Sequence, residues 1–289
     1  MQSDRPAQPL GHGIPATERF NRDRFRTLVH YVCWICEDPR TLGPHRLNRV
    51  LWYSDRSVYL ESGRPITGAT YIRQQAGPQA RPLQPMLAEL EKDGALARRL
   101  ADRSGEFDLL FAIRRPDLSC FKADEISVVE AVTRVVCLDS RGSITHQAAH
   151  DRVWQAAQIG EVLPYFTVFA GRPGDILAAD IDWAMRVLHP RDGVTLAPPT
   201  NDLFQVTEVA NVKDRRKEAV DAALWHLHRD PTVGISLPGT RASWFIYKQA
   251  GLTHLAVPDV VIVYGFDVNE FLFEAMRLGN AEDDVDGES

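Results

Sequence analysis

Gly63-Arg64-Pro65-Ile66-Thr67-Gly68-Ala69-Thr70-Tyr71-Ile72-Arg73 is where the helical rhythm of this chain first breaks. Two glycines and a proline supply turn geometry, and the β-branched and aromatic residues among them suit a short turn and strand. Upstream the pattern is helical. Pro44 is a favoured first-turn residue, and Leu47, Val50, Leu51 and Val58 recur along one helix face. Gly63 suits a left-handed C-terminal cap. Earlier still, Phe25, Leu28, Val29, Val32, Cys33 and Cys36 mark the buried face of a helix over 24–37. Downstream, Gly77-Pro78 ends the strand, and the spacing predicts helices over 82–93, closed by Gly94, over 123–136, and over 144–159, closed by Gly160.

A further helix is predicted over 180–188, with Asp180 as its N-cap and Pro190 just beyond its end. The composition then changes. Residues 189–202 hold three prolines, a glycine and few apolar anchors, so they read as an exposed linker and the domain boundary. Beyond them the pattern predicts a strand over 203–209 and a helix over about 212–228, capped by Asn211, with Ala219, Ala223, Leu224 and Leu227 inward. Strands follow over 244–248, 260–266 and 270–276. The expected fold class is α+β: a mostly helical N-terminal domain, 21–188, with a small β-hairpin or turn element, then a small β-α-β-β-β domain, 203–279, with one helix against its sheet. Residues 1–20 read as a disordered arm and 280–289 as a disordered acidic tail.

A chain of 289 residues has room for two such units. Its net charge of −6 argues against a protein that coats nucleic acid, which draws on clustered Lys and Arg. No apolar run approaches the roughly 20 residues that span a bilayer, and residues 1–15 lack the apolar core of a signal peptide. The expectation is a cytoplasmic protein with protein partners and no membrane. The four cysteines are scattered among apolar residues, as reduced core side chains usually are. Cys33 and Cys36 form a CxxC on one apolar helix stripe, with no second pair to complete a zinc site. His146 and His150, with Asp151 adjacent, lack the Glu of a HExxH motif and read as structural histidines. Neither a metal site nor a cofactor is expected.

Leu47-Asn48-Arg49-Val50-Leu51-Trp52-Tyr53-Ser54-Asp55, then Tyr59, Gly63 through Tyr71 and Gly77-Pro78, stand in a characteristic order. So do Ile144-Thr145-His146-Gln147, Trp154, Gly160 and Leu163-Pro164-Tyr165. Together they resemble the Panacea (SocA-like) antitoxin domain over about 24–185. The resemblance implies a largely helical module that neutralises toxins by direct protein binding and, in some members, delivers a bound toxin to a protease. Neither role needs a catalytic centre. The residues it points to for toxin or partner binding are Asn48, Tyr53, Asp55, Arg64, Thr67, Tyr71 and Arg73. Aromatic and arginine groups make good interface anchors, while Asn48 and Asp55, seven apart on one helix face, also suit local capping, and the turn itself also suits bracing two helices.

The C-terminal unit resembles the RelE/ParE toxin superfamily, in the segment 227–240, the strand 244–248 and Pro258-Asp259-Val260-Val261-Ile262-Val263-Tyr264. That resemblance implies basic and proton-handling groups on a sheet, able to stabilise phosphate charge during RNA cleavage. Candidates are Arg241, Lys248, Tyr264 and Arg277, with Tyr247 and His254 as further proton-handling groups. The arginine that commonly precedes the strand tyrosine in active toxins is absent, since Val261-Ile262-Val263 stand there. Two readings follow. The chain is an antitoxin-type protein acting on its own C-terminal domain or on a separate toxin chain, with a protease as a further partner where it serves as an adaptor. Alternatively it is a fused toxin–antitoxin whose C-terminal domain is a RelE-like endoribonuclease silenced by the N-terminal domain, in which case RNA is its substrate. No basic recognition helix supports a DNA-binding autoregulator.

Overall fold

Asn21 starts the first helix in the way the sequence chemistry favours: its side chain accepts the N–H of Arg24 at 3.1 Å and so satisfies an otherwise orphaned donor. The fold, taken from a computed structural model, is described for residues 19–100, 108–138, 152–189, 215–238, 244–266 and 271–279. It is α+β. The chain forms two compact units, one of residues 1–71 with 79–137 and the other of residues 72–78 with 138–289.

The first unit packs α1 (Arg22–Ile35), α2 (Pro44–Ser62), α3 (Leu83–Lys92) and α4 (Ala123–Leu138). Phe25, Leu28, Val29, Val32, Leu47, Val50 and Leu51 are buried, which is the predicted stripe of each helix. Gly63 ends α2 at φ 72°, a left-handed cap that an L side chain rarely adopts. Ionic contacts bind the helices at their rims. Arg26 pairs with Glu89 of α3 and with Asp93, the C-cap of that helix, and Arg24 pairs with Glu125 of α4. The unit begins and closes a hairpin of β1 (Tyr71–Gln74) and β2 (Gly77–Ala80), whose tip belongs to the second unit. A second hairpin, β3 (Leu96–Leu100) with β4 (Asp108–Ala112), pairs Leu96 with Ala112 and Arg98 with Leu110. Its first strand carries no local signal, because Leu96-Ala97-Arg98-Arg99-Leu100 has no β-branched or aromatic residue.

In the second unit, α5 (Arg152–Ala156) is followed by β5 (Val162–Leu163), which adds to β1. Then come α6 (Ala178–Leu188), α7 (Arg215–Leu227), β6 (Ile235–Ser236), β7 (Trp244–Gln249), β8 (Val260–Phe266) and β9 (Phe271–Leu278). The last four make an antiparallel sheet in the order β6-β7-β8-β9. Alternation along the strands sorts its faces. Ile246, Val261 and Val263 pack with Leu237 against Ala184, Ile181 and Met185 of α6. On the opposite face Gln249 donates to the backbone carbonyl of Ala219 at 3.0 Å, and Tyr247 meets His226, both on α7. A register shift between Val263 and Tyr264 places Phe271 and Phe273 on the face of Tyr264.

Three expectations are corrected here. The sheet carries a helix on each face rather than one helix, because both its faces are apolar and each needs cover. The break between units falls at Cys137 and Leu138, not within 189–202, because α6 packs on the C-terminal sheet. Asp180 is the third residue of α6, not its N-cap; Leu177 holds that position and its N–H donates to the Asp180 carboxylate at 2.8 Å. The predicted strand 203–209, the linker after His189, most of helix 144–159, the arm before residue 19 and the acidic tail lie outside the described residues. Among the described residues no helix is long and apolar enough to cross a membrane.

Candidate functional site

Helix α2 carries Asn48 and Asp55 on its inner side, and both side chains reach across to the chain that follows the helix. The fully buried Asp55 carboxylate accepts the N–H of Thr67 at 2.7 Å, the Thr67 hydroxyl at 2.5 Å and the Tyr71 hydroxyl at 2.8 Å. Thr67 Oγ1 also accepts the N–H of Ala69 at 3.2 Å. The Tyr71 ring meets Trp52 edge-on at 5.0 Å between centroids. Asn48 works both ends of its amide: Nδ2 donates to Pro44 O at 2.9 Å and Oδ1 accepts the N–H of Ala80 at 2.8 Å. The turn needs Gly68 at φ 68° to bring Thr67 and Tyr71 onto one carboxylate.

Asn48, Asp55, Thr67 and Tyr71 are therefore interior groups: Thr67 and Tyr71 point at the Asp55 carboxylate, and Asn48 ties α2 to the backbone of Ala80. Tyr53 is half-buried on α2, and Arg64 stands exposed at the start of the turn. Arg73 has a different setting. Its Nε donates to Trp154 O at 2.7 Å and its guanidinium lies 4.6 Å from the centre of the Trp154 ring. Its backbone exchanges hydrogen bonds with the Gly160–Glu161 corner, N–H to Glu161 O and O from Gly160 N, each at 2.8 Å. Residues about 80 positions apart in sequence, Arg73 and Trp154 with Gly160, thus share one construction.

The basic candidates on the C-terminal sheet are committed inward. Lys248 Nζ lies 3.3 Å from Asp180 Oδ2 and 3.5 Å from Asp259 Oδ2, with only 4% of its side chain exposed. Arg277 pairs with the other Asp180 oxygen and sits 5.0 Å from the centre of the Trp183 ring. Two cations meet two carboxylates here, Asp180 fully buried and Asp259 partly exposed, which is the pairing that burial of charge demands. The sequence offered the two cations without the anion that claims them, since Asp180 read as a helix cap.

Tyr264 is fully buried. Its hydroxyl donates to Pro231 O at 2.7 Å and accepts the N–H of Gly234 at 3.1 Å, and burial pushes the phenol up to about 12. A phenol held protonated and engaged on both sides is placed to hold the sheet to the 231–234 turn. Tyr247 faces His226 with 3.2 Å between its hydroxyl and Nδ1, both groups buried. His254 is exposed beyond β7. Arg241, His146, His150 and Asp151 lie outside the described residues. Among the described residues no set of three His, Cys, Asp or Glu side chains is arranged to hold a metal ion.

Compared with known proteins, the chain matches no family model, no curated protein and no solved structure.

Proposed function

We propose that this protein is an antitoxin-type protein that neutralises a toxin by direct protein binding, either in its own C-terminal region or in a separate chain. The observation that carries the reading is the convergence of the residues quoted for the Panacea resemblance. Asp55, Thr67 and Tyr71 fix the turn through one set of buried hydrogen bonds, Asn48 ties the same helix to Ala80, and Arg73, Trp154 and Gly160 share a further set. A rigid turn loses little conformational freedom when a partner docks on it, and exposed Arg64 gives it a charged anchor. The commitment of Lys248, Arg277 and Tyr264 to internal bonds supports binding over RNA cleavage.

The test uses the full chain. A toxin gene neighbouring its own is induced in bacteria with and without co-expression of this protein, and the two products are co-purified. Relief of growth arrest together with a stable complex is the expected result, weakened by Arg64→Glu. Full-chain variants that loosen the turn, such as Asp55→Ala, test action in cis: arrest by the variant alone would mean that the toxin lies in this chain. If no neighbouring product arrests growth and neither the chain nor its variants affect growth, the antitoxin reading fails.

A further inference from the structure

Two of the four cysteines, 101 residues apart in sequence, meet in the first unit. Cys36 caps the C-terminus of α1, where its N–H donates to Val32 O at 3.2 Å, and Cys137 lies in the last turn of α4. Their sulfurs are 3.6 Å apart and share a hydrogen bond. A disulfide needs about 2.05 Å, so closing the bond asks for a shift of roughly 1.5 Å, within reach of side-chain rotation and a small movement of the helix ends. We propose that Cys36 and Cys137 form a peroxide-sensitive thiol pair, which oxidation converts to a disulfide joining α1 to α4.

The surroundings single out this pair among the cysteines. Cys33, one turn before Cys36, is 3% exposed, and burial pushes its thiol well up, which makes it inert. Cys120 is exposed, and no other cysteine sulfur is within bonding distance of it among the described residues. Cys36 has Cys137 beside it and Thr41 Oγ1 at 3.5 Å. When Cys36 ionises, the Cys137 S–H can donate to the new thiolate, so the pair shares one proton and the first ionisation becomes easier. The hydrogen bond to Cys137, aided by the Thr41 hydroxyl, draws Cys36 down to about 6, and the same bond pushes Cys137 up. Cys137 is half-buried, which leaves the pair open on its side to a small oxidant.

The chemistry is a two-step oxidation. The Cys36 thiolate attacks one oxygen of hydrogen peroxide; an S–O bond forms, the O–O bond breaks, and hydroxide leaves. The Cys137 sulfur then attacks the resulting sulfenic acid. The S–S bond forms, the S–O bond breaks, and the departing hydroxide takes the Cys137 proton as water. In sum two thiols and one peroxide give one disulfide and two waters, the peroxide being reduced by the two electrons that the sulfurs lose.

The test treats the reduced full-length protein with hydrogen peroxide, blocks remaining thiols and maps the peptides by mass spectrometry. The expected product links the Cys36 and Cys137 peptides, reduces the free thiols from four to two, and unfolds at a higher temperature than the reduced protein. Cys137→Ser should leave a sulfenic acid on Cys36 that dimedone traps, and Cys36→Ser should give neither link nor trapped acid. The wild-type peptide map decides independently of how the serine variants fold. A link between Cys33 and Cys36, reaction confined to Cys120, or four unmodified thiols would each overturn the proposal.

Discussion

Asp55 and Thr67 are joined twice, once through the backbone N–H of Thr67 at 2.7 Å and once through its hydroxyl at 2.5 Å. One carboxylate on α2 therefore sets both the path and the side-chain direction of the turn that follows, and Tyr71 adds a third donor. Asp55→Ala leaves these buried donors without an acceptor, at a cost of about 1–3 kcal/mol for each such group. The expected result in denaturant unfolding is a loss of at least about 3 kcal/mol. Asp55→Asn, which keeps one carbonyl acceptor, should lose less. Equal stability of the Ala variant and the wild type would remove Asp55 from its bracing role.

The Asp180 cluster leads to a second prediction. Asp180→Ala removes the acceptor of the Leu177 N–H and the shared anion of Lys248 and Arg277, two cations that are almost wholly buried. Breaking a buried pair from one side costs about 3–5 kcal/mol. Adding Lys248→Met to Asp180→Ala should recover part of that loss, because the stranded charge goes and an apolar stem of similar length stays. Chemical denaturation of the two variants measures the recovery. A double variant less stable than Asp180→Ala alone would mean that Lys248 has another role.

How far the sequence reveals this fold depends on what each element carries within itself. Helix α2 was legible because Pro44, the apolar stripe and Gly63 mark its start, face and end. The strands β7 and β8 were legible because Phe245-Ile246-Tyr247 and Val260-Val261-Ile262-Val263 have little other use than a sheet. The hairpin of β3 and β4 was hidden, since pairing across a connection stabilises Arg98 and Arg99 in a strand that their own propensities do not favour. The place of α6 was hidden for the same reason. Its attachment to the sheet joins apolar packing around Ala184 to Asp180 finding Lys248 and Arg277, which lie 68 and 97 residues away. For the candidate site, the turn residues were legible as a group, but not which of them face inward. A buried carboxylate and an exposed one have the same letter, and only the donors around Asp55 distinguish them.

Gly234 and Tyr264 are matched by close approach. A Cβ on Gly234 would lie 2.3 Å from the Tyr264 hydroxyl oxygen and 3.0 Å from Ile246 O, although the φ of −76° suits any residue. Gly234→Ala should therefore destabilise by overpacking, by about 1–3 kcal/mol. Tyr264→Phe should cost about 1–2 kcal/mol, for the bonds to Pro231 and Gly234. Combined, the two changes should cost less than their sum, because phenylalanine lacks the oxygen that the new methyl meets. Thermal unfolding of the four-member cycle measures that difference, and strict additivity would contradict the predicted clash.

Tyr31 and Tyr264 should make the fold lose stability in alkali. Burial and the hydrogen bond of its hydroxyl to Glu130 at 2.6 Å push Tyr31 up to about 12, and burial does the same for Tyr264. In the unfolded chain both phenols ionise near their ordinary value of 10.0. The folded state holds these protons more tightly, so the contribution of each tyrosine is fully present below pH 10.0 and is lost as the pH rises toward about 12. Urea unfolding across that window should show the midpoint falling with pH, and falling less steeply in Tyr31→Phe and Tyr264→Phe than in wild type. Ultraviolet absorbance should show Tyr31 and Tyr264 among the tyrosines that ionise late while the chain remains folded. If both variants instead follow the wild-type slope, these two phenols are not the groups that carry the alkaline loss.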